Sequence, residues 1–211
     1  MPITLPLFPL NAVLFPGGEM ELKISKDSYR QLLEDCLSSG SDIGIIYCED
    51  DVQEKASMSE VGCAAKIIDH TPFEDGSFVI RVRGKTRFKL GEIETKKPYL
   101  SATTQMLEDI EDLDLNDPLL KMVEELTYIY MDLLSEIDPV SHVSGFTTPI
   151  RLEDSFLLIE QMILPEDYRE EALKVASVKE RFELAMRYLR VEIERLRFLL
   201  EEPLDSEVVI N

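Results

Sequence analysis

The chain has 211 residues, with 22 Lys and Arg against 42 Asp and Glu, a formal charge of −20 at neutral pH. Its 45% hydrophobic content suits a packed core and excludes a disordered chain. The acid excess counts against nucleic acid, whose phosphates need a concentrated cationic face, and equally against an anionic membrane surface. Length alone suggests one or two domains. The start has no basic residue before its apolar stretch, and Pro2, Pro6, Pro9 and Pro16 would break a signal-peptide helix. No apolar run reaches about 18 residues, so no membrane span is expected. Cys36, Cys48 and Cys63 are an odd number without metal-like spacing. Reduced structural thiols in a cytoplasmic protein are the expectation.

The first half reads as strands around one helix. Ile3–Phe8 is a short apolar run whose Pro6 suggests an edge strand or a bulge, where no ladder donor is needed. Pro16-Gly17-Gly18 is a turn. Met20, Leu22 and Ile24 alternate with Glu21 and Lys23, a half-buried strand. Tyr29, Leu32, Leu33, Cys36 and Leu37 share one helical face, and Ser38-Ser39-Gly40 ends that helix. Ile43–Cys48 and Val61–Ile68 are buried strands, with Gly62 at a bulge or a close backbone approach. Val79–Arg83 and Thr86–Leu90 read as two strands with a plain turn at Gly84 between them, and Pro98–Met106 supplies the last. Such a set suggests a small closed or nearly closed sheet.

The second half reads as helices. Residues 1–105 hold 12 basic and 16 acidic residues, whereas 106–211 hold 10 and 26. The change falls in an aperiodic acidic stretch ending at Asp117-Pro118. We therefore expect a β-rich lobe at 1–107, an acidic linker at 108–117, a helical lobe at 118–202 and a loose tail at 203–211. Asp117 can cap a helix with Pro118 at its first position. Leu119, Val123, Leu126, Tyr130, Leu133 and Ile137 form its stripe, and Asp138-Pro139 stops it. Leu152–Leu164 predicts a second helix, and Pro165-Glu166-Asp167 opens a third. Ser177-Val178-Lys179-Glu180 matches a capping box before a helix running to about Leu200. The fold class is α+β.

Motifs for chemistry are scarce. Gly84-Lys85-Thr86 resembles the end of a phosphate loop, but Val79 stands where the first glycine belongs and no helix follows. Asp112-x-Asp114-x-Asn116 resembles the start of a calcium loop, but Asp117 and Val123 replace the required Gly and Glu, so an acidic linker is the better reading. No metal, cofactor or catalytic residue is expected. His70 and His142 have no partner visible in sequence for general base work.

Two features bear on binding. Arg81, Arg83, Lys85, Arg87 and Lys89 form a local cationic patch. It could hold an acidic peptide, though a solvated strand face paired with acids such as Glu92 and Glu94 is the preferred reading. Leu14 and Phe15 lie in a Pro-rich segment that cannot be regular. Phe73 sits in the turn-like Thr71–Gly76, either pinned onto the core or offered to a partner. Leu14, Phe15, Phe73, Arg81 and Arg83 are the candidate peptide-binding residues.

Leu5-Pro6-Leu7-Phe8-Pro9-Leu10-Asn11-Ala12-Val13-Leu14-Phe15-Pro16-Gly17-Gly18 resembles the start of the Lon N-terminal, substrate-binding domain family. Tyr29-Arg30, Val61–Ile67, Asp75-Gly76-Ser77-Phe78, Gly84-x-x-Arg87-Phe88, Pro98–Ala102 and Leu164–Leu200 resemble later family stretches in order. The resemblance covers roughly residues 3–200. It implies a PUA-like β-barrel lobe (named for pseudouridine synthases and archaeosine transglycosylases) followed by a helical bundle, and a role in gathering unfolded or extended polypeptides. This chain has no complete phosphate loop and no Ser-Lys protease segment. It therefore resembles a stand-alone member without the ATPase and protease domains. The expectation is a non-catalytic, adaptor- or holdase-like protein that binds polypeptide segments, with an ATP-dependent protease or chaperone as candidate partner. A small-molecule-binding regulator using the barrel is the alternative.

Overall fold

The computed structural model describes residues 2–49, 57–137 and 149–201. The expected helix stop at Asp138-Pro139, His142 and the tail at 203–211 lie outside the described residues. The architecture is α+β: among the described residues, a mixed six-stranded sheet with five α-helices. Contacts divide the chain into two units. The first runs to Ile110 and takes in Leu164–Ser177; the second comprises Glu111–Ile163 and the chain from Val178.

The first unit contains β1 (Ile3–Leu10), β2 (Glu19–Ile24), α1 (Asp27–Ser39), β3 (Ile43–Tyr47), β4 (Val61–Pro72), β5 (Phe78–Glu94) and β6 (Ser101–Met106). The strand order is β2-β5-β4-β3-β1-β6, and β5 also pairs with β6. The ladders thus run from β5 through β4, β3, β1 and β6 and return to β5. Among the described residues, β1–β3 is the one parallel strand pair of this sheet. Two apolar clusters form the unit's core. One gathers Phe8, Leu14, Leu32, Cys36, Ile45, Cys63, Ile80 and Val82. The other gathers Leu5, Leu7, Ile46, Ala64, Phe88 and Ala102. Gly62 is the close approach the sequence suggested: a Cβ there would stand 2.5 Å from the Phe88 ring and 2.6 Å from the Ile45 carbonyl oxygen.

Two strand expectations are corrected. β1 is not an edge: it lies between β3 and β6. Its prolines are tolerated because each half has a single partner, β6 for Ile3–Pro6 and β3 for Leu7–Leu10. The second correction concerns Gly84, which is not a turn between two strands. It lies inside the single 17-residue β5. Its N–H donates to the Gly18 carbonyl at 2.9 Å, and its carbonyl accepts from Gly17 N–H at 3.0 Å. The turn after Phe15 is thereby laid against β5 so closely that a Cβ at position 84 would overlap the Phe15 carbonyl.

Just past Gly84, β5 carries one extra residue. Ala65 faces Gly84 but Ala64 faces Thr86, so Lys85 is a bulge. A one-residue insertion exchanges the faces of everything after it. Ile80 and Val82 point into the core and Arg81 and Arg83 to solvent; beyond the bulge Arg87 pairs with the core residue Cys63 and turns inward. Arg87 is 2% exposed. Its guanidinium donates to Leu173 O at 3.1 Å, Glu108 O at 3.3 Å and Asp109 Oδ1 at 2.5 Å. It thus joins the strands to α4 (Glu166–Lys174) near that helix's negative end. This is why residues 164–177, placed by the sequence reading in the helical lobe, join the strands. Glu166 Oε2 also accepts from Val13 N–H at 2.8 Å, and Arg169 lies 5.5 Å from the Phe15 ring centre.

A polar cluster fastens α1 to the β5–β6 connection. Asp35 Oδ2 accepts from the Tyr99 hydroxyl at 2.6 Å and from Lys97 Nζ at 2.7 Å, and Gln31 donates to Oδ1 at 3.0 Å. The Lys97 hydrogen bond, then those of Tyr99 and Gln31, hold the Asp35 carboxyl well below the usual carboxylate range.

In the second unit, α2 (Pro118–Ile137) starts as expected: Asp117 Oδ1 accepts from Leu119 N–H at 2.9 Å. Its buried face is Leu119, Leu120, Val123, Thr127, Tyr130 and Leu134. The expected stripe is therefore displaced, and Ile137 is exposed. The predicted helix over Leu152–Leu164 is shorter, a 3₁₀ turn at Leu152–Asp154 followed by α3 (Ser155–Glu160). The chain leaves the helix early because Ile163 N–H goes to the Tyr130 hydroxyl at 3.1 Å rather than to a helical carbonyl. The long α5 (Val178–Glu201) packs on α2 and α3, with Asp112 Oδ1 accepting from Lys179 N–H at 3.0 Å near its start.

Two outcomes test this fold. Gly84→Ala should lower stability by about 2–3 kcal/mol in urea unfolding, because the neighbour that must move is backbone. Asp35→Asn should destabilise at pH 7. A carboxyl lowered by folding stabilises above its unfolded value near 4, and that contribution is lost as pH falls towards the lower folded value. The gap between wild type and Asp35→Asn should therefore narrow progressively below about pH 4 in chemical denaturation.

Candidate functional site

The most distinctive surface is the far end of the β4–β5 hairpin. Its tip is closed by Phe73 N–H to Ser77 O at 2.8 Å and by Gly76 N–H to Phe73 O at 3.0 Å. Asp75 Oδ1 accepts from Ser77 N–H at 2.9 Å and from the Ser77 hydroxyl at 2.6 Å. Those bonds to Ser77 hold the Asp75 carboxyl below its ordinary value and stiffen the turn. The hydrogen-bonded tip presents Phe73 at 51% exposure. Phe73, Glu74, Asp75, Ser77 and Val79, with Lys23 from β2, line an open recess of about 470 Å³. The strand β2 stands at the end of the strand order and, among the described residues, pairs only with β5. An edge strand with free backbone groups thus runs beside an apolar patch.

The remaining candidates fall in two places. Arg81 and Arg83 lie on the exposed face of the same β2–β5–β4 ribbon. Arg83 hydrogen-bonds Glu19; Arg81 stands 3.9 Å from both Glu19 and Asp69. The Arg83 hydrogen bond and the charges of both arginines hold Glu19 below its ordinary value. Lys85 meets Asp42 at 2.6 Å. The acids answering this patch are therefore Glu19, Asp69 and Asp42, whereas Glu94 pairs with Lys96. Such exposed pairs contribute little stability, but they leave little net field for an acidic ligand. Leu14 and Phe15 are 1% and 0% exposed. They are core residues here, closed over by α1, α4 and the turn pinned at Gly84, and they offer no surface to a partner.

Lys23 and Val79 line the recess but were not among the residues singled out from sequence. The β2 alternation placed Lys23 on a solvent face, but nothing local in the sequence says that β2 ends the sheet or that Phe73 folds beside it. His70 is exposed, and its backbone N–H bonds to Asp69 Oδ1. Among the described residues no group of three or more His, Cys, Asp or Glu could hold a metal ion, and no helix is long and apolar enough to cross a membrane. Cys36, Cys48 and Cys63 are buried thiols.

Comparison with known proteins adds the following. Residues 4–191 match the family model of the ATP-dependent protease La (LON) substrate-binding domain. A Lon protease of Flavobacterium johnsoniae is 27% identical over 219 aligned residues, covering 99% of this chain and 26% of that protein. A Lon protease of Anaeromyxobacter dehalogenans is 26% identical, covering 99% of this chain and 25% of that one. The chain thus spans about a quarter of the length of these relatives. The crystal structure of a Lon N-terminal domain protein from Xanthomonas campestris superposes with a TM-score of 0.66 at 24% identity, covering 95% of this chain and 99% of that one. The N-terminal domain of Mycobacterium avium complex Lon protease gives 0.64 at 17% identity, covering 89% and 98%. At these identities the two structures establish the shared fold.

Proposed function

Because the chain belongs to the LON substrate-binding domain family, we propose that it is a non-catalytic module that binds extended segments of other polypeptides, as an adaptor or holdase, and that the hairpin tip with the β2 edge is where it does so. The observation that carries this reading is Phe73, half-exposed on a rigid turn beside a strand with a free edge. Extended peptides add to such edges by main-chain hydrogen bonds, and pockets for alternate side chains supply preference. The recess formed by Phe73 and Val79 takes an apolar or aromatic side chain. Lys23, Glu74 and Asp75 at its rim keep the surface wet when empty. A small-molecule site is usually an enclosed apolar cavity, so the open recess favours a peptide over a metabolite. The closed circuit of strand pairings is the basis for reading the first unit as a PUA-like barrel. The charge of −20 keeps a module with exposed apolar groups dispersed. Partnership with an ATP-dependent protease or chaperone belongs to this proposal; the relatives matched over this chain are named Lon protease.

Fluorescence anisotropy with labelled apolar–aromatic peptides tests it. Wild type should bind them in preference to polar peptides, and Phe73→Ala should weaken binding about tenfold, the size expected for an aromatic anchor. Arg81→Ala and Arg83→Ala should change it little. Undiminished binding by Phe73→Ala would remove the hairpin tip from the account.

A further inference from the structure

Helix α2 is apolar on more than one face. Beside its buried face run Met122, Leu126, Ile129, Leu133 and Ile137, at steps of four, three, four and four residues, so they form one continuous stripe. Met122 is 42% exposed, Ile129 39% and Ile137 40%, and Leu126 and Leu133 are half-buried. The stripe spans about four helical turns, roughly 22 Å. A solvent-facing helix surface is ordinarily polar, and an apolar seam of this length and spacing is the pattern by which one helix receives another.

Charge selects the occupant. Glu125, Asp132 and Glu136 are exposed along the stripe's free edge, seven and four residues apart, with Lys121 the single cation on that edge. A second copy of α2 laid antiparallel on the stripe would bring two acidic edges together, which is repulsive. A helix with basic edges would meet each acid with an opposite charge. We propose that this face of α2 docks an amphipathic helix of a partner protein, with apolar residues at i, i+3 or i+4 and i+7 flanked by Lys or Arg. This helix-in-groove site is independent of the hairpin-tip site and takes a ligand of different shape.

The probes are synthetic helical peptides with Leu along one seam, flanked either by Lys or by Glu, titrated onto the full chain at low and high salt. The Lys-flanked peptide should bind more tightly than the Glu-flanked one, with a difference that shrinks as salt rises. Ile129→Asp should weaken it about tenfold or more. The triple variant Glu125→Lys, Asp132→Lys, Glu136→Lys alters only exposed positions and should reverse the preference towards the Glu-flanked peptide. Phe73→Ala should bind as wild type does. The proposal is overturned if the Lys-flanked peptide does not bind or has no advantage, or if Ile129→Asp binds it undiminished. It is equally overturned if sedimentation shows a dimer that Ile129→Asp dissociates, since the occupant is then a second copy.

Discussion

The first unit depends on the contact of two backbones at Gly84. Because that position has no side chain, the turn after Phe15 can lie directly on β5, exchanging two hydrogen bonds with it. The strand accommodates the approach with one extra residue, Lys85. The consequences run outward from there. Before the bulge, the arginines at 81 and 83 face water; after it, Arg87 faces inward and takes up Asp109 and the end of α4. A buried guanidinium is tolerable only when its donors are met, and here one carboxylate and two carbonyls meet them. The same strand pairs with β2 over residues 78–83, with β4 over 78–89 and with β6 over 88–94.

That arrangement divides the molecule's resources. Gly84, Arg87 and the Asp35–Tyr99–Lys97 cluster tie the strands, α1 and α4 together. Away from these ties, the outer ribbon of β2, β5 and β4 extends to a tip held by Asp75 and Ser77, where an aromatic ring and a free strand edge stand together. A binding surface built on a stiff hairpin loses little conformational entropy when it takes a ligand.

Much of this was legible in the sequence, and the failures share a cause. Local signals held where a single residue's chemistry sets the structure: Asp117 caps α2, Gly40 ends α1, Gly62 makes room for Phe88, and the opening motif points to the family that residues 4–191 match. Long-range signals were lost. Alternation along residues 79–90 cannot reveal a bulge, so the five basic residues read as one patch although Arg87 lies on the other face. Pro6 read as an edge because which half of a strand has one neighbour is a property of the sheet. Leu14 and Phe15 read as candidates for binding because their cover comes from elements later in the chain, α1 residues clustered with Leu14 and Arg169 of α4 over the Phe15 ring. The stripe on α2 mixed residues of two faces because both are apolar. Phe73 was identified from sequence, but its neighbours Lys23 and Val79 required the fold.

The most direct test is amide hydrogen exchange of the full chain with and without an apolar–aromatic peptide. The account predicts added protection confined to Glu19–Ile24 and Phe73–Val79. Protection that appears elsewhere while these two segments stay unchanged would contradict it.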